Sequence, residues 1–260
     1  MKINFLTSKE ARSLFSTPDS YALKLPKSNL AMVNPSNPTL EGYQEVFLNS
    51  FGDFSQEDQD RMNEMANEFL DKLNVTINLV KTLGTHSLDI TQTRGETILA
   101  THGFMGASTF VHEVYHILSR RFKLTDNLAS IWGFERGETQ EINYPSYLLN
   151  PDAEDSNYKI EVTELSTNKK IKVYPFIVEG LMTGLKVEGE DRYLLERDTD
   201  YASLIKNTSY TAHPEEICAE HFALLTTGRC IFMAELDYPT LSKYQSELLK
   251  LLKKHNLISP

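Results

Sequence analysis

Residues 109–121, TFVHEVYHILSRR, decide how the chain is read, because His112, Glu113 and His116 stand there in the pattern His-Glu-x-x-His. On a helix of 3.6 residues per turn the two histidines lie about 40° apart and Glu113 about 100° from His112, so two imidazoles can meet one ion with a carboxylate beside it. The spacing offers two metal ligands and one general base. With His112 at zero, Phe110, Val111, Val114, Ile117 and Leu118 fall between roughly 140° and 260°, an apolar stripe on the opposite side. The histidines are expected to face away from that seam. At this composition the pattern arises by chance about 0.02 times per sequence, so it is informative. The competing explanation is an amphipathic helix with two histidines on its polar face.

A catalytic zinc normally takes three protein ligands and leaves one position for water, so a third must be found. A histidine reached through a glycine turn, as in H-E-x-x-H-x-x-G-x-x-H, is excluded because Ser119 and Phe122 occupy the positions that pattern needs. A glutamate on a later helix is the other solution. Residues 211–225, TAHPEEICAEHFALL, supply one: Pro214 suits a first helical turn, and Glu216 and Glu220 stand one turn apart on one face. One acid of such a pair can ligate the metal while the other accepts the free ring N–H of a zinc histidine and fixes its tautomer. Glu215 competes with Glu216 for the ligand position, but only Glu216 has an acid four residues on.

Outward from these two helices the texture is α+β. The runs VTINLVKT, SLDITQT and ETILATH between Val75 and His102 are rich in β-branched residues, with Gly84 and Gly95 near the joins, and predict three strands of a small sheet. A helix is expected from near Gly106. Upstream, residues 8–16 predict a short helix, and Pro26, Pro35 and Pro38 break residues 26–38 into loop. Thr39 can cap a helix to about Phe51, although Gly42 stands where a capping box wants an acid or amide. Ser55, with Asp58 behind it, opens another whose Met62, Ala66, Phe69 and Leu73 recur at helical spacing. These two helices are expected to pack as a pair. Between the motif helices YKIEVTEL, STNKK and IKVYPFIVEG predict a hairpin, followed by strands in LKVEG and RYLLER. Residues 240–255 place Leu241, Tyr244, Leu248, Leu251 and Leu252 on one stripe and Lys243, Lys250, Lys253 and Lys254 elsewhere, the pattern of a docked helix with a solvated basic face.

Composition bounds the partners. The 260 residues are 40% hydrophobic and 24% charged, and 26 basic against 36 acidic residues give a formal charge of −10. That balance repels phosphate backbones and anionic lipid, so neither nucleic acid nor membrane is an expected partner. No apolar run approaches the ~20 residues of a membrane span. The start reaches Lys9, Glu10 and Arg12 before a signal-peptide core could form, so a cytoplasmic location, or export without a Sec signal, is expected. Cys218 and Cys230 form no C-x-x-C pair and read as reduced packing residues. There is no internal repeat or Gly/Ser linker, which suits one domain with an insertion or two subdomains. The oligomeric state is left open.

Taken together, Glu216-Ile217-Cys218-Ala219-Glu220 after His-Glu-x-x-His resembles the gluzincin metallopeptidases, the thermolysin-like clan, whose second helix carries Glu-x-x-[Ser/Ala]-[Asp/Glu]. HILSRR, the IWGFE and NYP stretches, NPDA at residues 150–153 and HPEEICAEHFALL are also similar to a group of uncharacterised bacterial metallopeptidase-like proteins, over roughly residues 96–227. About 100 residues separate His116 from Glu216, more than in thermolysin, and Glu220 replaces the more usual aspartate. The resemblance implies a zincin-like α+β domain over 1–260: a helical part at 1–74, the small mixed sheet and metal helix at 75–125, an inserted β region at 150–200, and the glutamate helix and C-terminal helix at 210–260. It implies Zn²⁺ held by His112, His116 and Glu216, with Glu220 behind a ligand. The activity implied is hydrolysis of a peptide or protein substrate: the metal acidifies a water, and Glu113 takes its proton during attack on the carbonyl and returns it to the leaving amine. Tyr210 and His213 are the nearest candidates to stabilise the oxyanion. Their alternatives are core packing for Tyr210 and a cap or surface role for His213. The strand at Ile98–Thr101 either pairs with substrate backbone or is an ordinary sheet strand. His102 reads as a loop residue, and Trp132 as core or cleft wall. The other class of function is a non-catalytic binding or effector module braced by zinc. In that case the fourth metal position would be closed, whereas no fourth His or Cys is placed in either motif to close it and Glu113 stands at the base position.

Overall fold

The β-branched runs after Asn74 form strands where the sequence places them, and they organise the first part of the molecule. The structure, a computed structural model, describes residues 1–84, 91–103, 105–144, 147–150, 152, 157–178, 182–232 and 234–258. The chain divides into two compact units, Met1–Ile117 with Asn256–Pro260, and Leu118–His255. No helix among the described residues is long and apolar enough to cross a membrane.

In the first unit β1 (Lys2–Leu6), β3 (Thr76–Thr82), β5 (Thr97–Thr101) and β4 (Gln92–Arg94) form a mixed sheet in the order β1-β3-β5-β4, with β2 (Phe51–Gly52) also paired to β3. β1 and β5 run parallel to β3, while β2 and β4 are antiparallel to their neighbours. The sequence reading does not anticipate β1, so residues 1–74 begin with a strand before becoming helical. Residues 87–90 of SLDITQT lie outside the described residues, and its last two, Gln92 and Thr93, belong to β4. Ile98 of β5 faces Leu79 on one side and Thr93 on the other. Its backbone is therefore engaged on both edges, as is that of Leu99, so for Ile98 and Leu99 the second of the two alternatives holds, an ordinary sheet strand. Among the described strands β4 is the outer one on this side of the sheet and β1 on the other.

The N-terminal helices are α1 (Ser8–Leu14), α2 (Ser20–Lys24), α3 (Lys27–Val33), α4 (Leu40–Asn49) and α5 (Gln56–Leu70). Thr39 Oγ1 caps α4 by accepting from Gly42 N–H at 3.1 Å, and Ser55 with Asp58 completes a capping box on α5. Gly42 is required by a close approach: a Cβ there would lie 2.1 Å from the Asn37 carbonyl oxygen. The loop expected over residues 26–38 contains α3. Pro26 precedes the first turn and Pro35 follows the closing Asn34, so the prolines bracket a helix where their spacing suggested a continuous break. Nor is the expected pairing of α4 with α5 their main packing, since α4 lies against α2 and α3 and α5 against β1. Arg94 at the end of β4 ties the helices to the sheet. Its buried guanidinium pairs with both oxygens of Asp19, donates to Tyr43 OH at 3.1 Å and lies 4.1 Å from the centre of the Tyr21 ring. This unit ends in α6 (Ala107–Phe122), whose last turn belongs to the second unit.

The second unit contains α7 (Leu124–Leu128), a short 3₁₀ turn at Ala129–Trp132, and a wholly antiparallel sheet. That sheet comprises β6 (Glu135–Arg136), β7 (Tyr147–Leu148), β8 (Tyr158–Glu164), β9 (Lys169–Val178), β10 (Met182–Val187) and β11 (Tyr193–Leu195). Its order is β11-β10-β9-β8-β6, with β7 also on β9. Tyr158, Ile160 and Val162 are buried in alternation with Lys159, Glu161 and Thr163, the period expected of a half-covered strand. The β8–β9 turn closes on Asn168 at φ 55°, a left-handed position that asparagine tolerates. Three helices follow: α8 (Tyr201–Leu204), α9 (Pro214–Thr227) and α10 (Tyr238–Lys254). α10 docks on α7 and α9 through Tyr244, Leu248 and Leu252 and leaves Lys243, Lys250, Lys253 and Lys254 exposed, as its stripe predicts.

Trp132 is core: its ring lies 4.7 Å from His221 and 5.7 Å from Tyr244. His221 Nδ1–H donates to the Ile217 carbonyl at 2.7 Å, while Nε2 accepts from Asn207 Nδ2 at 3.0 Å. That arrangement suits only a neutral ring, and burial holds its pKa down to about 4. Stability from this neutral histidine is fully present above pH 6.5, the unperturbed value, and is lost as pH falls from 6.5 towards 4, because the unfolded chain takes up the proton first. At ~1.4 kcal/mol per unit, up to about 3 kcal/mol depends on it. The urea midpoint of the wild type should therefore fall between pH 6.5 and 4 more steeply than that of His221→Gln. Parallel pH profiles would remove His221 from the account.

Candidate metal and catalytic site

α6 is buried on every side. Phe110, Val111, Val114, Ile117 and Leu118, the apolar stripe, are 0% exposed, yet His112 and Glu113 are each only 4% exposed and His116 is 0% exposed. A solvated polar face, the bland explanation of the two histidines, is therefore excluded. The imidazoles lie 4.8 Å apart, centre to centre, as neighbours one helical turn apart must. Two rings and a carboxylate held inside a protein require polar partners, since burying such groups without them costs several kcal/mol.

Glu113 has one such partner on β4. The Thr93 hydroxyl is 2.6 Å from Glu113 Oε2 and 3.2 Å from the Glu113 carbonyl oxygen. Thr93 is itself 0% exposed, and its backbone is set by pairing with Ile98.

The second unit presents its acids from the first turn of α9. His213 is the N-cap residue: its Nδ1 accepts from Glu215 N–H at 3.1 Å, and Pro214 occupies the first helical turn as its sequence position predicts. With Nδ1 accepting, the proton of a neutral ring sits on Nε2. The His213 ring packs edge-on against Tyr158 at 5.4 Å. Tyr210 is half-buried, with its ring 5.1 Å from that of Phe232. Both residues thus occupy the packing and capping positions named as alternatives to an oxyanion role. His102 lies in the loop between β5 and α6, exposed, at φ 55°.

Glu215 and Glu216, adjacent in sequence and both buried, are held differently. The Ser119 hydroxyl donates to Glu215 Oε2 at 2.8 Å while accepting from Thr125 N–H at 3.3 Å. Glu216 Oε1 instead accepts from Asn150 Nδ2 at 2.5 Å, and Asn150 Oδ1 accepts from Asp152 N–H at 2.8 Å. Asp152 Oδ1 in turn takes Arg120 at 3.2 Å. Pro151 and Ala153 of the NPDA stretch lie outside the described residues. Glu220, buried one turn beyond Glu216, accepts from Phe232 N–H at 2.9 Å and so fastens the segment after α9. Burial, with the Glu220 carboxylate beside it, pushes the Cys230 thiol up to about 12, which leaves it uncharged. Cys218 is also buried and free, as expected of packing cysteines.

In the first unit the buried side chains of His112, Glu113 and His116 could serve a metal ion, and in the second the carboxylates of Glu216 and Asp152 could. Thr93, Ser119 and Asn150 were not singled out from the sequence. Asn150 stands out only as part of the NPDA stretch, and nothing in a lone threonine or serine marks it as a carboxylate's partner. The chain matches no protein-family model, no curated protein and no solved structure.

Ser119→Ala removes the donor to a buried carboxylate and the acceptor of a backbone N–H. It should lower stability by about 1–3 kcal/mol in urea unfolding at neutral pH. An unchanged midpoint would show that Glu215 does not depend on this contact.

Proposed function

We propose that the chain is a zinc-dependent hydrolase of peptide or amide bonds, of gluzincin type, with His112, His116 and Glu216 as the metal ligands. The observation that carries this reading lies within the first unit: the buried imidazoles of His112 and His116, 4.8 Å apart centre to centre on one helix, with the buried Glu113 carboxylate next to His112. Two imidazole nitrogens with a carboxylate oxygen from Glu216 would suit zinc and meet the three-ligand requirement of a catalytic site. A bound zinc ion would acidify water and polarise the carbonyl to be cleaved. The rest of the work falls to the chain. Glu113, next to a ligand but outside the set, accepts a proton from the attacking water and delivers it to the leaving amine. Asn150 orients the Glu216 carboxylate by holding Oε1, and Ser119 keeps Glu215 engaged elsewhere. Glu220 is the acid assigned to a zinc histidine, and Tyr210 and His213 are the candidates for the oxyanion. The substrate is a peptide or protein.

The burial of Glu113 beside His112 on the same helix supports a second reading, in which the carboxylate is itself a ligand and the metal braces a binding or effector module. Glu113→Gln separates the two. Under the hydrolase reading the variant keeps close to one zinc per chain by elemental analysis and loses hydrolysis by about 10²–10⁴-fold or more. Loss of the zinc from Glu113→Gln would favour the module, and wild-type protein that takes up no transition metal would end both. Glu216→Gln should lose zinc while Glu215→Gln retains it. Asn150→Ala should weaken zinc affinity by about 10- to 100-fold, the usual effect of removing a ligand's hydrogen-bond partner.

A further inference from the structure

We infer that Thr93 is the positioning residue for Glu113, holding one carboxylate oxygen so that the side chain has a single orientation in which to exchange a proton. This rests on the hydrolase reading for its consequence in catalysis, but not for the contact itself. At 2.6 Å the O–H···O distance falls in the range of a charge-assisted bond to a carboxylate. Its second neighbour is the carbonyl of the same residue, at 3.2 Å, so one hydroxyl spans both ends of Glu113 and fixes the side chain relative to its own backbone. Thr93 is well suited to this. A β-branched residue has few χ1 choices, its strand is locked to β5 by the pairing with Ile98, and both partners are buried away from competing water.

A hydroxyl carries one proton and two lone pairs. While Glu113 is a carboxylate, Thr93 donates to Oε2. With Oε2 held by Thr93, the other carboxylate oxygen is the one left to exchange a proton. Oε2 goes on accepting from the Thr93 hydroxyl whether or not that other oxygen carries the proton, so the contact is kept through both halves of the cycle.

The test uses Thr93→Val, which keeps the shape and removes the hydroxyl, and Thr93→Ser, which restores it. The first readout needs neither metal nor turnover. In the infrared spectrum the carboxylate stretch of Glu113, assigned by its absence in Glu113→Gln, should shift in Thr93→Val and return to the wild-type position in Thr93→Ser. The second uses zinc-loaded protein on fluorescein-labelled casein. There Thr93→Val should lower kcat by about 10- to 100-fold with KM nearly unchanged, and Thr93→Ser should recover most of it. If Thr93→Val does not fold, Thr93→Ala takes its place in both measurements. A carboxylate band that stays put in the hydroxyl-free variant overturns the inference, and so does undiminished kcat in a variant that still binds zinc. A shifted band in a protein whose wild type cleaves nothing upholds the contact and counts against the hydrolase reading instead.

Discussion

A helix buried on all sides cannot carry polar side chains unless the interior is built to receive them, and α6 imposes that constraint on this protein. His112, Glu113 and His116 sit among Phe110, Val111, Val114, Tyr115, Ile117 and Leu118 with almost no exposure. An apolar helix in the same place would be simpler to accommodate, because each buried polar group must recover in hydrogen bonds or coordination what it loses in hydration. The hydroxyl of Thr93 is one such compensation. Its position depends on β4, β4 depends on β5, and β5 is held by β3, so much of the first unit's sheet serves the surroundings of one helix.

The same economy recurs on α9. Its first eleven residues are buried, including Glu215, Glu216, Glu220 and His221, and each of these has a partner of its own: Ser119, Asn150, Phe232 N–H and the Ile217–Asn207 pair. Ser119, Asn150 and the Phe232 N–H are neutral donors. A hydroxyl or amide can orient a carboxylate without cancelling its charge, whereas an arginine in the same place would form an ion pair and reduce the acid's ability to serve a cation. Arginine is used where a permanent pair is wanted, at Asp19 and at Asp152.

Local and periodic features were legible in the sequence. The spacing of His112 and His116, the caps at Thr39 and Ser55, the proline in the first turn of α9, the strands of residues 158–187 and the stripe of α10 all follow from rules acting within a few residues. Features set by distant partners were not. Pro26 and Pro35 looked like a break because each proline disrupts a helix, but their separation leaves room for α3 between them. β1 lacks enough length to announce itself and becomes a strand because β3 gives it a parallel neighbour. Gly42 looked like a missing cap residue until the Asn37 carbonyl was seen pressed against it. Around the candidate site, the residue types that bind metals could be found by pattern, while Thr93, Ser119 and Asn150 could not, since their roles come from where the backbone delivers them.

Thr93 and Arg94 are neighbours on one short strand, and successive side chains of a strand point to opposite faces. One reaches Glu113 in α6, and the other gathers Asp19, Tyr21 and Tyr43 from helices α2 and α4. The dipeptide is therefore a rivet with its two heads on different layers. Shortening the amino-terminal segment, or loosening Asp19, would slacken the far side of that rivet and let the strand shift under the carboxylate. The first fifty residues, which carry none of the chemistry, thereby acquire a mechanical stake in it.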